Sequence, residues 1–225
     1  MTKRTVDTIS DAALTLSILP HRKLRISNQA LSHLPKIKAD DDSLKEIEEV
    51  QFACNFIARV DGDAFDHMRN LKVLCLGANE LAEVPVEAIR HLPHLTRLHL
   101  NNNKIQRLSF AYFSSNPKLE LLDLRANQIA EVSPLGAAAH LPRLRTLSLS
   151  CNKLTSLEDT PTPSHSFSVF GNHLADFQQV VRFLARAPSI QEVYVGGNPF
   201  SDYDEKLLMQ TLPQLVLLDG KYVQL

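Results

Sequence analysis

The sequence predicts an α/β solenoid. A curved parallel sheet lines its concave face, short helices and loops form its convex face, and about eight coils lie between terminal caps. Three observations carry this. First, the pattern of Leu95, Leu98, Leu100, Asn103 and Ile105 recurs. Leu71, Leu74, Leu76, Asn79 and Leu81 repeat it, as do Leu119, Leu122, Leu124, Asn127 and Ile129, and Leu144, Leu147, Leu149, Asn152 and Leu154. Second, the amide positions 29, 55, 79, 103, 127, 152, 172 and 198 are separated by 26, 24, 24, 24, 25, 20 and 26 residues. A period near 24 held this long is a repeat signature. Third, each unit alternates as Leu98-His99-Leu100 does, which is the period of a strand.

Each strand points its leucines inward and their neighbours outward. One unit cannot bury its apolar side alone, so the units must stack and the strands must pair in parallel. After each strand the chain turns back, leaving backbone groups near the interior without strand partners, which is costly. An amide side chain carries donors and an acceptor. The asparagines are therefore expected to bond the turn of their own coil and that of the next. Two units are degraded: Gln29 replaces the asparagine after Leu24 and Ile26, and Ser164 stands where a leucine should precede Phe167, Val169 and Asn172.

This LxxLxLxxNxL motif, over nearly the whole chain, resembles the leucine-rich-repeat family. The resemblance implies one domain over 1–225: an N-terminal helical cap over 1–20, repeats over 21–200 and a C-terminal cap over 201–225. Val6, Ile9, Ala13, Leu16 and Ile18 or Leu19 fit an amphipathic helix sealing the first coil. Asp40-Asp41-Asp42 with Glu46, Glu48 and Glu49 reads as a solvated return loop. Val84–Ile89 with Leu92, and Leu108–Phe113, suggest short helical turns. Residues 175–186 place apolar groups at helical spacing, ending before Pro188. Pro161 and Pro163 argue for an extended return with no helix. Ser201-Asp202 is expected to cap a helix carrying Leu207, Leu208 and Leu212. The ending from Leu212 to Gly220, LPxLxxLDG in form, resembles the C-terminal cap of several intracellular leucine-rich-repeat groups.

Asp7 and Asp11 interrupt any secretory h-region, and no run approaches the roughly 20 apolar residues of a spanning helix. Neither terminus indicates lipidation. Cys54, Cys75 and Cys151 are odd in number. Cys54 and Cys151 precede their asparagines, where small semi-buried side chains fit. They read as reduced, packed thiols of an intracellular protein, cytoplasmic, nuclear or ciliary.

No cofactor or metal site is expected. His91 and His94 have no evident third ligand. Gly196-Gly197 is read as a turn of the last repeat. His99, Asp123 and Ser148 share one outward column on successive strands. That column imitates a hydrolase triad, but has neither a glycine elbow nor an oxyanion hole, so no enzyme is expected. Net charge is −1, which attracts no nucleic acid globally. Among the outward positions Lys23, Arg25, Arg97 and Arg125 are basic, and Glu49, Asp123 and Glu192 acidic. Such a mixed face suits protein recognition.

The candidate partner-binding residues are Arg97, His99, Asn101, Leu121, Asp123 and Arg125 in the middle, with Phe170 and Tyr194 toward the end. Arginines and exposed aromatics are common interface anchors. The layout resembles the leucine-rich-repeat regulatory subunit of protein phosphatase 1, the axonemal dynein light chain and the spliceosomal partner of a branch-site RNP protein. The acidic nuclear phosphoproteins share the ending, but their acidic tail is missing here. The resemblance implies a non-enzymatic scaffold, adaptor or regulatory subunit that docks another protein, with neither a membrane nor a small-molecule substrate. The alternative is an RNP component touching RNA through Lys3, Arg4, His21, Arg22, Lys23 and Arg25.

Overall fold

The computed structural model describes residues 22–34, 44–133 and 141–223. The helix expected over 1–20 and the acidic run at 40–42 lie outside them. Eight three-residue strands make the coils of the main sheet: β1 (Lys23–Arg25), β2 (Glu49–Gln51), β3 (Val73–Cys75), β4 (Arg97–His99), β6 (Leu121–Asp123), β8 (Thr146–Ser148), β9 (Ser166–Ser168) and β10 (Glu192–Tyr194). They pair in parallel and in chain order, and β11 (Leu217–Leu218) and β12 (Lys221–Tyr222) extend the sheet to ten strands. Two more strands, β5 (Arg107–Ser109) and β7 (Glu131–Ser133), pair separately.

The central residue of each coil strand, from Leu24 to Val193, is buried, and all join one continuous core. On the return side lie α1 (Val86–Ile89), a 3-10 turn over Phe110–Phe113 and α2 (Phe177–Leu184). Asp176 caps α2, its carboxylate accepting from Gln179 N. Residues 160–163 form neither helix nor strand, as the prolines require. The cap helix α3 (Glu205–Thr211) departs from expectation: its N-cap is Asp204, which accepts from Lys206 N and Leu207 N, rather than Ser201-Asp202. Leu212 sits at its C-cap.

The asparagine column is continuous from Asn55 to Asn198. Asn103 shows its chemistry: Nδ2 donates to Leu100 O of its own coil at 3.0 Å and to Leu76 O of the preceding coil at 3.0 Å. Its Oδ1 accepts from Leu81 N, also in the preceding coil, at 3.0 Å. The same set recurs at Asn55, Asn79, Asn127, Asn152, Asn172 and Asn198. Each rung thus reaches back, not forward as expected: Leu76 O receives Asn79 Nδ2 as well as Asn103 Nδ2, and Leu81 N has Asn103 Oδ1 as its partner. Gln29 instead donates to Ser27 O at the surface. In the C-terminal cap Asp219 Oδ1 accepts from Val195 N and Gly196 N.

A second column corrects the reading of the thiols. Ahead of the asparagines, Cys54, Ala78, Asn102, Ala126 and Cys151 all have φ between 52° and 58°. Side chains there are small because a left-handed backbone crowds Cβ, not because they pack. Cys54 and Cys151 are exposed.

Candidate functional site

The register of the main sheet sets the concave rows. Arg97 aligns with Leu121 and Thr146, and His99 with Asp123 and Ser148. Short strands on a stacked core leave each alternate side chain facing outward. Arg97 is exposed, while His99, Asn101 and Leu121 are half-buried. The Asn101 amide lies over Gly77, where a Cβ would fall 2.6 Å from Oδ1. This glycine admits the amide.

Asp123 departs from an open surface position, being only 5% exposed. Its Oδ1 accepts from Arg125 N, and Oδ2 lies 3.1 Å from Arg125 Nη2 and 3.8 Å from His99 Nδ1. A carboxylate so enclosed positions Arg125 and His99 more than it meets a partner. The triad geometry also fails. Asp123 sits between His99 and Ser148 in the column, whereas a triad needs its histidine between acid and serine. Ser148 Oγ is 3.4 Å from Ser150 Oγ, which in turn contacts Ser168 Oγ. The arrangement is a neutral hydroxyl shelf beside the arginines. Cys75, half-buried on β3, has its thiol pushed up by burial, which makes it a poor nucleophile.

The two histidines of the return segment face cations. Arg90 Nε is 2.9 Å from His91 Nε2, and Lys118 Nζ is 2.7 Å from His94 Nδ1. Among the described residues no group of three His, Cys, Asp or Glu side chains could hold a metal. No described helix is long and apolar enough to cross a membrane.

Toward the C-terminal end, Phe170 is 47% exposed and its ring leans over Gly197. Tyr194 on β10 aligns with Ser168 on β9. The structure therefore divides the eight predicted residues into a central group, polar except for Leu121, and an aromatic terminal pair, with the hydroxyl shelf between them.

Sequence reasoning missed a neighbouring feature. Phe177, Phe200 and Tyr203 pack together with centroids 5.0–6.0 Å apart. Tyr203 remains 42% exposed. Its hydroxyl is pushed up to about 12 by burial and by the carboxylates of Asp219 and Glu205. Phe200 and Tyr203, with Leu218 and Lys221, line a cleft of about 380 Å³. The available signal was two aromatics spaced by three at the start of the cap.

At the other end, ion pairs occupy Arg22 and Lys23, while Arg25 is exposed and in no ion pair with the described residues, and Lys3, Arg4 and His21 lie outside them. Arg22 meets Glu46 at 3.1 Å and Glu48 at 2.9 Å, Lys72 meets Glu48 at 2.7 Å and Lys23 meets Glu49 at 2.5 Å. The Glu49 carboxyl is held below its usual range chiefly by the Lys23 hydrogen bond, helped by Gln51 and Arg97.

Comparison with known proteins fits this geometry. The leucine-rich-repeat pattern matches residues 45–105, 69–129 and 93–154. No curated protein sequence matches the chain. Among solved structures, the octameric complex of Latrophilin 3, Unc5D and FLRT2, the last named with its leucine-rich repeats, is similar at 22% identity and a TM-score of 0.73. That match covers 88% of this chain and 60% of the other. A leucine-rich-repeat protein of Leptospira interrogans, LIC12759, is similar at 22% identity and a TM-score of 0.62, covering 83% of this chain and 52% of that one. The leucine-rich-repeat domain of APL1B follows at 18% and 0.59, covering 84% and 68%. The chain thus spans about half to two thirds of the length of these structures. It carries leucine-rich repeats and has the fold of a leucine-rich-repeat solenoid.

Proposed function

We propose that this solenoid is a non-enzymatic protein-binding module that docks a segment or domain of another protein on its concave sheet. It would serve as scaffold, adaptor or regulatory subunit of an intracellular complex. One observation carries the reading. Arg97 and Arg125 stand exposed on a floor whose turns are pinned by buried asparagine bonds, so recognition groups are held in place before a partner arrives. Phe170 and Tyr194 add an aromatic anchor at the far end of the same face. That FLRT2 is named in a complex with protein partners is consistent. Three unpaired cysteines support an intracellular setting.

The test compares proteins co-purified with wild type against those co-purified with Arg97→Glu/Arg125→Glu and with Phe170→Ala/Tyr194→Ala. Asp123 is left intact because it is buried. Loss of one common set of proteins in both variants supports concave docking. Unchanged sets in both variants, with folding verified by circular dichroism, refute it. RNA contact at the basic rim is the second reading; Arg22 and Lys23 are already paired with Glu46, Glu48 and Glu49, which leaves Arg25 as the exposed cation of the described rim. RNA affinity falling steeply with salt would support it.

A further inference from the structure

The sequence holds three serine or threonine residues followed by proline: Ser133-Pro134, Thr160-Pro161 and Thr162-Pro163. As sequence motifs they are equivalent, but the fold separates them. Ser133 is exposed, but it lies in β7, its backbone registered with Ser109 of β5. A kinase would have to open that ladder to reach it. Thr160 is 2% exposed, its backbone N–H is tied to Leu157 O, and its Oγ1 is buried without a partner. Ser133 is thus held in a ladder and Thr160 is hidden.

Thr162 is different. The chain is pinned before it at Thr160 and after it at Ser164, whose N–H donates to Leu144 O at 3.0 Å. Between those points the backbone is neither helix nor strand. Pro161 and Pro163 have no N–H and fix φ near −65°, so the stretch is held extended. Thr162 is half-buried and makes no hydrogen bond with the described residues. Lifting it would break none; the packing of Thr162 itself and of the buried Pro163 ring resists. A protein kinase binds its acceptor residue in an extended strand. A proline-directed kinase additionally tolerates a following residue that lacks an N–H.

We propose that Thr162 is a phosphoacceptor site for a proline-directed protein kinase. Thr162 Oγ1 attacks the γ-phosphorus of a nucleoside triphosphate. The bond from that phosphorus to the bridging oxygen breaks, the nucleoside diphosphate leaves, and the hydroxyl proton passes to a carboxylate base of the kinase. The product carries about −1.5 to −2 charge at neutral pH. The segment runs into the N-terminal end of β9, so this charge arrives ahead of Ser166. The site assignment stands independently of what docks on the concave face.

The experiment incubates the purified, folded full chain with a kinase of the cyclin-dependent class and Mg-ATP, then maps phosphate by mass spectrometry. Incorporation at Thr162, lost in Thr162→Val and in Pro163→Ala but retained in Thr160→Val, supports the assignment. Melting curves establish that each variant remains folded. Phosphate confined to Ser133 or Thr160 overturns it. So does labelling of Thr162 only after denaturation, or in neither the folded nor the unfolded chain.

Discussion

In the coils from β2 to β8 the residue ahead of each asparagine is cysteine, alanine or asparagine, at φ between 52° and 58°. In the last two coils it is Gly171 or Gly197, at φ 66° and 68°. Both regions make the same turn, and both hang it from an asparagine. The central coils tolerate a strained residue type at each turn; the terminal ones use glycine, for which the conformation is nearly free. The regions differ in the opposite sense elsewhere. The central amides keep spacings of 24 or 25, whereas the terminal spacings are 20 and 26. There, α2 and an aromatic cluster replace part of the leucine stack. Regular stacking thus supports turn strain in the middle, and local backbone ease accompanies irregular packing at the end.

The largest test of this contrast is Phe167→Ala. Phe167 is fully buried, with its ring centroid 4.7 Å from that of Phe183. Its removal should cost about 3–5 kcal/mol. Because each repeat contacts only its neighbours, hydrogen exchange should rise around Asn172 and Asn198 and stay protected around Asn79. Uniform loss of protection would show that the two regions unfold as one unit.

Next is Asn103→Ala, which leaves Leu81 N without a partner and takes one of two donors from Leu76 O and Leu100 O, which keep Asn79 Nδ2 and Asn127 Nδ2. With one buried group left unsatisfied, the loss should be about 1–3 kcal/mol in urea titration. Asn198→Ala should cost less, because Asn198 is only half-buried and water can replace its partners. Equal losses would remove the distinction between centre and end.

A smaller, paired test exchanges the turn residues themselves. Gly171→Ala adds a Cβ that meets nothing closer than Cys151 Sγ at 3.5 Å, so its cost is conformational, about 1 kcal/mol. Ala126→Gly should gain less than that, since glycine also loosens the unfolded chain. Thermal midpoints moving in opposite directions would support the strain account. Two destabilised variants would mean that Ala126 contributes contacts outweighing its backbone.

This column also shows where sequence reading stops. Leucine and asparagine repeat because burial and backbone satisfaction constrain every coil alike, and both were legible. Cys54 and Cys151 were misread because a small residue serves a packed site and a left-handed backbone equally well; only φ separates the two. Nothing periodic constrains the concave row. The enclosure of Asp123 joins Arg125 of its own coil to His99 of the adjacent strand, and the packing of Tyr203 edge-on to Phe177 and stacked on Phe200 depends on how the cap closes. Neither has a periodic signature.

The smallest expected effect concerns the first coils, where surface charge supplements stacking. Lys72 holds the Glu48 carboxyl below its ordinary range, with Arg22 adding a second bond. A carboxyl depressed in the folded state contributes stability above its unfolded pKa and loses it as pH falls through the folded value. The loss should therefore begin below about pH 4.5 and be confined to acid conditions. The group is exposed to solvent, so salt should screen the contribution heavily. Thermal midpoints of wild type and Glu48→Gln, measured between neutral and acid pH at low and high salt, isolate it. Wild type should lie above the variant only at neutral pH and low salt, and the curves should converge on acidification. Curves that stay parallel at every pH would mean that this ion pairing only follows the stacking of β1 to β3, leaving the leucine core and the asparagine column to hold the first coils as they hold the centre.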